Sequence, residues 1–321
     1  MSASVSPQLS AFALDVVEGL SCAGQKKISP RYFYDELGSA LFDVITLLPE
    51  YGLTRADERI LQSHAHNIVS EVGPVSIVAE LGSGSGKKTK HILQALTRAG
   101  NRIIYRPIDV SRAALTACER DLGETSPVEP VCADWIEGLS EIASARTRRE
   151  PLFLLFLGSS IGNLERKEIT EFLRRVREHF QPGDFFLLGA DLVKDVNTMV
   201  AAYDDSTGVT AAFNLNLLGR INRELDANFD LRSFTHEIRW NDTERRIEMH
   251  LRSMRRQRVY IGALDASIGF DAGETIWTES SHKFTPQELD SYAQASGFTV
   301  CRTWIDEEWP FAEALWKAVP T

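Results

Sequence analysis

Glu80-Leu81-Gly82-Ser83-Gly84-Ser85-Gly86-Lys87-Lys88-Thr89 is the stretch on which the fold turns. Before it runs Ser76–Leu81, short and apolar, which reads as a buried strand. After it runs Lys88–Ala99, with Ile92, Leu93 and Leu96 on one helical face. Glycines between a strand and a helix permit a tight turn and let backbone N–H groups approach a ligand. Two nucleotide patterns fail here. A phosphate loop GxxxxGK[ST] built on Gly86-Lys87 needs Gly where Leu81 stands and Ser or Thr where Lys88 stands. A dinucleotide GxGxxG needs Gly in place of Lys87 or of Thr89. What remains is acidic-x-Gly-x-Gly-x-Gly, with a plain glycine-rich turn as the other reading.

Outward from the turn, apolar runs alternate with helical segments. Ile103–Val110, Val128–Ala133, Leu152–Leu157 and Phe185–Leu188 read as further strands, and Lys167–Phe180 as a helix with Ile169, Phe172, Leu173 and Val176 at its spacing. Strands with apolar residues on both faces, alternating with helices, mean a parallel α/β sheet. After Gly189-Ala190-Asp191 the character changes for about 90 residues. Helices over Thr198–Tyr203 and Val209–Leu225 precede alternating strands, among them Arg246–Arg252 with Ile247, Met249 and Leu251 on one face. Then Thr285-Pro286 opens a helix that Gly297 ends, and Phe298–Ile305 and Phe311–Val319 form a closing hairpin. Five parallel strands with a terminal antiparallel hairpin resemble the class I methyltransferase plan, and the loop resembles its S-adenosylmethionine loop. The expectation is an α/β, Rossmann-like methyltransferase domain over 56–192 and 284–321. A substrate-binding α+β domain comprises 1–55 and 193–283 and closes over the substrate.

Candidate ligand residues follow from that plan. Lys87 and Lys88 oppose the dipole at a helix N-terminus unless an anionic group, such as a methionine carboxylate, sits there; pointing both to solvent is the alternative. Asp109 ends the second strand, where a carboxylate can accept from ribose hydroxyls. Asp134 ends the third and is followed by Trp135, a pair suited to an adenine. Each Asp read alone could equally be a loop cap.

Composition sets the surroundings. The chain has 321 residues, 35 Lys plus Arg and 45 Asp plus Glu, for a net charge of −10. That disfavours nucleic acid and anionic membrane surfaces as partners. Cys22, Cys118, Cys132 and Cys301 are scattered with no zinc spacing, which fits a reducing cytoplasm and no metal. The N-terminus lacks a basic region, and Asp15 and Glu18 interrupt its apolar stretch, so no signal peptide is expected. No run is long enough to span a bilayer.

More unusual strings lie beyond the loop. They are Arg31-Tyr-Phe-Tyr-Asp-Glu-Leu-Gly38, Leu48-Pro-Glu-Tyr51, Phe156-Leu-Gly-Ser-Ser-Ile-Gly-Asn163, Gly189-Ala-Asp-Leu-Val-Lys-Asp195, Ala202-Tyr-Asp-Asp205, Arg246-Ile-Glu-Met249 and Thr278-Glu-Ser-Ser-His-Lys-Phe284. In this order, from about residue 28 onward, they resemble the histidine Nα-methyltransferases of ergothioneine biosynthesis. The resemblance implies three methyl transfers from S-adenosylmethionine to the α-amine of L-histidine, giving hercynine. It places the cofactor against Tyr34, Gly82, Lys88, Asp109, Asp134 and Trp135. It places the substrate carboxylate against Asn163 and Tyr203, and the imidazole near Tyr51, Met249, Glu279 and Ser281. The reacting amine falls near Tyr34 and Gly158, the two catalytic positions.

The residue types suit that chemistry. Methyl transfer is an in-line displacement on a sulfonium, so the enzyme positions and desolvates. Asn163 and Tyr203 offer donors to a carboxylate, and Glu279 an acceptor to a ring N–H. Read singly, Asn163 would be a helix cap, Met249 core packing, Glu279 a solvated strand residue, and Tyr51 and Tyr203 ordinary tyrosines. The expected protein is a cytoplasmic monomer. An N-methyltransferase for another amino acid or small amine is the nearest alternative, followed by a non-catalytic S-adenosylmethionine-binding regulator and a nicotinamide oxidoreductase.

Overall fold

The structure is a computed structural model that describes residues 7–319. Residues 1–6, on which the expectation of no signal peptide partly rests, and residues 320–321 lie outside the described ones. The first elements are α1 (Pro7–Ser21), β1 (Lys26–Lys27), α2 (Glu36–Ile45) and α3 (Gly52–Val72). Next come β2 (Ile77–Leu81), α4 (Lys90–Arg98), β3 (Ile104–Asp109), α5 (Arg112–Leu122), β4 (Val131–Cys132), α6 (Trp135–Ala145), β5 (Leu152–Phe156), α7 (Arg166–Glu178) and β6 (Phe185–Asp191). The interrupting segment holds α8 (Val196–Ala201), α9 (Val209–Leu225), β7 (Phe234–Asn241), β8 (Arg246–Ser253), β9 (Gln257–Ile261), β10 (Ala266–Phe270) and β11 (Thr275–His282). The chain closes with α10 (Pro286–Ala295), β12 (Phe298–Asp306) and β13 (Phe311–Ala318). Two compact units result: Met1–Tyr51 with Asp195–Ser281, and Gly52–Lys194 with His282–Thr321.

The second unit is built on a seven-stranded sheet ordered β12-β13-β6-β5-β2-β3-β4. β2 to β6 run parallel, and the hairpin joins antiparallel to β6. This is the expected class I methyltransferase sheet. Every residue of β2, β5 and β6 is buried, which is why those runs show no alternation. Each large side chain so buried contributes about 1.5–3 kcal/mol. Helix α7 turns Ile169, Phe172, Leu173 and Val176 inward, as its spacing predicts. Helix α10 starts with Pro286 behind a capping box in which Thr285 and Glu288 bind each other's backbone N–H.

Several boundaries shift by a residue or two from expectation, and three of the shifts have a visible cause. The third strand shrinks from Val128–Ala133 to β4 plus a single bridge at Val128, because Pro130 interrupts it and has no N–H to donate. Strand β6 extends to Asp191, since Phe311–Glu313 pair with Gly189–Asp191. Helix α4 begins at Lys90, because Lys87 and Lys88 remain in the turn and the buried Thr89 hydroxyl bonds Glu80.

The first unit is α+β. A four-stranded sheet, ordered β1-β11-β8-β7, carries Ile247, Met249 and Leu251 buried on one face of β8. β9 and β10 form a separate antiparallel pair. Phe213 of α9 stacks on Phe33 with ring centres 4.5 Å apart and touches Phe42 of α2 at 6.0 Å. This aromatic cluster joins the N-terminal segment to the insertion.

Candidate active site

In the second unit, strand order reverses between β2 and β5, and the turns after both strands lie at their carboxyl ends. Open α/β sheets bind ligands there. Gly82, Gly84 and Gly86 all take left-handed φ values of 64°, 53° and 67°. At Gly86 a Cβ would also stand 2.7 Å from Leu122 and 2.8 Å from Cys118, so that position is crowded as well as left-handed. Gly82 lies against Trp135, whose indole nitrogen would be 3.2 Å from a Cβ there.

Asp109 holds the loop. Its Oδ2 accepts from the Gly84 N–H at 2.9 Å and its Oδ1 from the Ser111 N–H at 2.8 Å. Burial raises its pKa against the pull of those donors. Asp134 caps α6, its Oδ1 accepting from the N–H groups of Ile136 and Glu137 at 3.0 Å. Both carboxylates therefore have the cap role that the sequence left open, and a carboxylate's remaining lone pairs still suit a ligand. Trp135 packs edge-on against Phe156 at 4.9 Å and Phe172 at 5.7 Å, which fixes its ring. Glu80, the acidic residue before the loop, is buried. It accepts from the Thr89 and Tyr105 hydroxyls, and burial pushes its pKa up to about 7 against those bonds.

Lys88 pairs with Asp57 of α3. Burial alone would lower the ammonium's pKa, but the Asp57 charge more than reverses this and leaves it raised. The same Asp57 Oδ2 accepts from the Gly158 N–H at 2.9 Å. Gly158 has φ 70°, and a Cβ on it would stand 3.2 Å from Lys88 Nζ. Thus the structure brings Lys88 and Gly158 together. Asn163 ends the short turn Ser160–Asn163 that follows Gly158.

In the first unit four of the predicted site residues, Tyr34, Tyr51, Tyr203 and Ser281, are linked by a chain of contacts that runs through Phe42. The Tyr34 ring meets Phe42 at 5.7 Å, Phe42 meets Tyr51 at 6.4 Å, and Tyr51 meets Tyr203 at 6.0 Å. The Tyr203 hydroxyl donates to Ser281 Oγ at 2.7 Å. Tyr203 and Ser281 were expected at opposite ends of the amino acid, and here they are directly bonded. Glu279 and Ser281 alternate on β11, and the Trp277 indole N–H donates to the Glu279 carbonyl at 2.9 Å. Met249 is buried in β8, and its carbonyl accepts from Thr278 at 3.0 Å.

Behind these residues lies a polar network that sequence reasoning missed. Asn214 Nδ2 donates to the His250 carbonyl at 3.0 Å, and its Oδ1 accepts from Thr278 at 2.8 Å. That fixes the amide, so Nδ2 also donates to His236 Nδ1 at 2.9 Å. His236 Nε2 then carries the proton and donates to the Tyr203 carbonyl at 2.8 Å. Burial lowers the His236 pKa against the pull of that carbonyl, which favours the neutral ring. Asp57 was missed as well, although it is an acid on the apolar face formed by Leu53, Ala56, Ile60 and Leu61. Among the described residues no cluster of His, Cys, Asp and Glu could hold a metal, and no helix is long and apolar enough to cross a membrane.

Comparison with known proteins adds the chemistry. Residues 12–318 match the family described as histidine-specific, S-adenosylmethionine-dependent methyltransferase. A histidine N-alpha-methyltransferase of Mycobacterium tuberculosis is 44% identical, covering 94% of this chain and 93% of its own. One of Mycolicibacterium smegmatis is 42% identical over the same shares. Among solved structures, the mitomycin 7-O-methyltransferase aligns with 98% of this chain and 69% of its own, at 12% identity and a TM-score of 0.48. The match over 12–318 means that the chain belongs to the histidine-specific methyltransferases that use S-adenosylmethionine as cofactor.

Proposed function

We propose that the protein transfers three methyl groups in succession from S-adenosylmethionine to the α-amine of L-histidine, giving Nα,Nα,Nα-trimethylhistidine, the hercynine of ergothioneine biosynthesis. The observation that carries this reading is the turn of three left-handed glycines at the switch point of the sheet, in a chain of a histidine-specific family. Gly82, Lys88, Asp109, Asp134 and Trp135, with Tyr34, serve the cofactor. Asn163 and Tyr203 hold the carboxylate, and Tyr51, Met249, Glu279 and Ser281 recognise the imidazole. Tyr34 and Gly158 attend the amine. The Gly52–Lys194 and His282–Thr321 unit is the cofactor domain, and the Met1–Tyr51 and Asp195–Ser281 unit selects the amino acid. The protein works as a cytoplasmic monomer, without nucleic acid or membrane partners.

Each transfer forms an N–C bond as the C–S bond breaks, and S-adenosylhomocysteine leaves. The attacking nitrogen must be neutral. The ammonium therefore loses a proton before each of the three attacks, and the last product keeps a fixed positive charge. Positioning supplies the rate: in-line alignment at near-contact distance replaces solvent reorganisation.

The test is mass spectrometry of the purified protein with S-adenosylmethionine and each of the twenty amino acids. Histidine should gain three methyl groups, and histamine, which leaves the carboxylate donors unpaired, should be a very poor substrate. Preferential methylation of another amino acid, or turnover of histamine comparable to histidine, would overturn the assignment.

A further inference from the structure

Glu313 sits in the middle of β13, fully buried, opposite Gly189 of β6 and Trp304 of β12. Its Oε1 occupies the space a side chain at Gly189 would need, 2.6 Å from a Cβ there. Among the described residues no donor reaches either Glu313 oxygen, and none reaches Asp57 Oδ1. Yet the two carboxyl groups are neighbours: the Gly158 nitrogen that donates to Asp57 stands 3.3 Å from the same Cβ position that Glu313 Oε1 crowds. Two ionised carboxylates in that position would repel in a dry interior, and each would keep an unsatisfied oxygen. One proton between them removes both costs.

We propose that Glu313 is held as the neutral acid and donates to Asp57 Oδ1, making it a positioning residue for the loop that meets the cofactor. Asp57 then has both oxygens engaged: Oδ1 by Glu313, Oδ2 by Lys88 and the Gly158 N–H. The side chain cannot rotate, and Lys88 and Gly158 stay where the proposed function needs them. The charged groups facing Glu313 are Asp57 on α3, Lys88 in the loop and Glu80 on β2, while His64 of α3 stacks on the neighbouring Trp304. Burial first, and then Asp57, push the Glu313 carboxyl well above the ordinary range, while Lys88 opposes them. Proton placement follows: Asp57 keeps the charge because it holds the ammonium.

This inference rests on the proposed function only where Lys88 and Gly158 are assigned to ligands, so two independent measurements separate the two. The first is infrared spectroscopy at pH 8, above the value of about 7 at which Glu80 ionises. A protonated carboxyl band should be present in the wild type and absent in Glu313→Gln. Its absence from the wild type, or its persistence in the variant, overturns the proposal whatever the enzyme does. The second is calorimetric binding of S-adenosylhomocysteine. Glu313→Ala should bind about tenfold more weakly, the size of one lost hydrogen bond, and Glu313→Gln, which restores a neutral donor, should recover most of that loss. Equal weakening in both variants overturns the role of the donated proton. Failure of histidine turnover with these results intact would instead count against the proposed function alone.

Discussion

Asp109→Asn separates two roles of one carboxylate. In the structure Asp109 already receives two backbone N–H groups, from Gly84 at 2.9 Å and Ser111 at 2.8 Å, with no ligand needed. The amide retains one acceptor oxygen, so one of those N–H groups faces an NH2 group instead. Removing one partner of a hydrogen bond to a charged group costs about 1.5–3 kcal/mol. A domain of this size loses roughly 2–4 °C of Tm per kcal/mol, so the unliganded variant should melt about 3–12 °C lower. The loop also loses its tie to Gly84, and binding of S-adenosylhomocysteine should fall by about 10- to 100-fold, or ~1.4–3 kcal/mol.

The assay pairs thermal unfolding by circular dichroism, without ligand, with calorimetric titration of S-adenosylhomocysteine. Asp109→Ala is the control, since it strands both N–H groups and should lower the melting temperature further. A variant that binds the cofactor weakly while melting like the wild type would refute the loop-holding role. It would leave Asp109 a ligand contact alone.

Three further outcomes are expected. Tyr203→Phe and Ser281→Ala each remove one end of a 2.7 Å bond and should each cost about 0.5–1.5 kcal/mol in urea unfolding. The double variant should lose little more than either single, and additive losses would mean that the bond contributes nothing. Asp191→Asn removes the charge shared by Lys194 Nζ at 2.6 Å and Lys283 Nζ at 2.9 Å. Leaving buried cations without it should cost about 3–5 kcal/mol, and a loss under 1 kcal/mol would contradict the pairing. Glu80, raised by burial to about 7, keeps its proton in the fold at pH values where the unfolded chain has lost it. The stability that proton gives is complete below about 4.5 and is lost as pH rises to about 7, by at most ~3 kcal/mol. Glu80→Gln should therefore gain on the wild type between pH 5 and 8, and a constant difference in urea midpoints would show that Glu80 is ionised throughout.

Much of the fold was legible because burial leaves a pattern. Leu152–Phe156 is apolar at every position and Ile77–Leu81 at every position but Glu80, and strands covered on both faces are written that way. Ile247, Met249 and Leu251 alternate because β8 buries one row of large apolar side chains. The third strand was misjudged because composition outweighed Pro130. The polar interior was far less legible. Asp57, Glu313 and the Asn214–His236–Thr278 network are each ordinary residues in their own segments, and their partners come from distant parts of the chain. Asp57 and Glu313 did leave one signal, as single acids on otherwise apolar faces.

Asp109 and Asp134 show why a cap and a ligand contact cannot be told apart by position. Both follow parallel strands, and a carboxylate there meets two demands together. The next helix leaves its first N–H groups unsatisfied, and the crevice beside it is where ligands lie. A carboxylate carries about four lone-pair sites, so one oxygen can serve the backbone while the other serves a ligand. Asp134 spends Oδ1 alone on α6 and is exposed. Asp109 engages both oxygens and is more enclosed. The two acids therefore differ in kind: substitution at Asp134 should act on binding and on one helix end, whereas substitution at Asp109 reshapes the glycine turn before any ligand arrives.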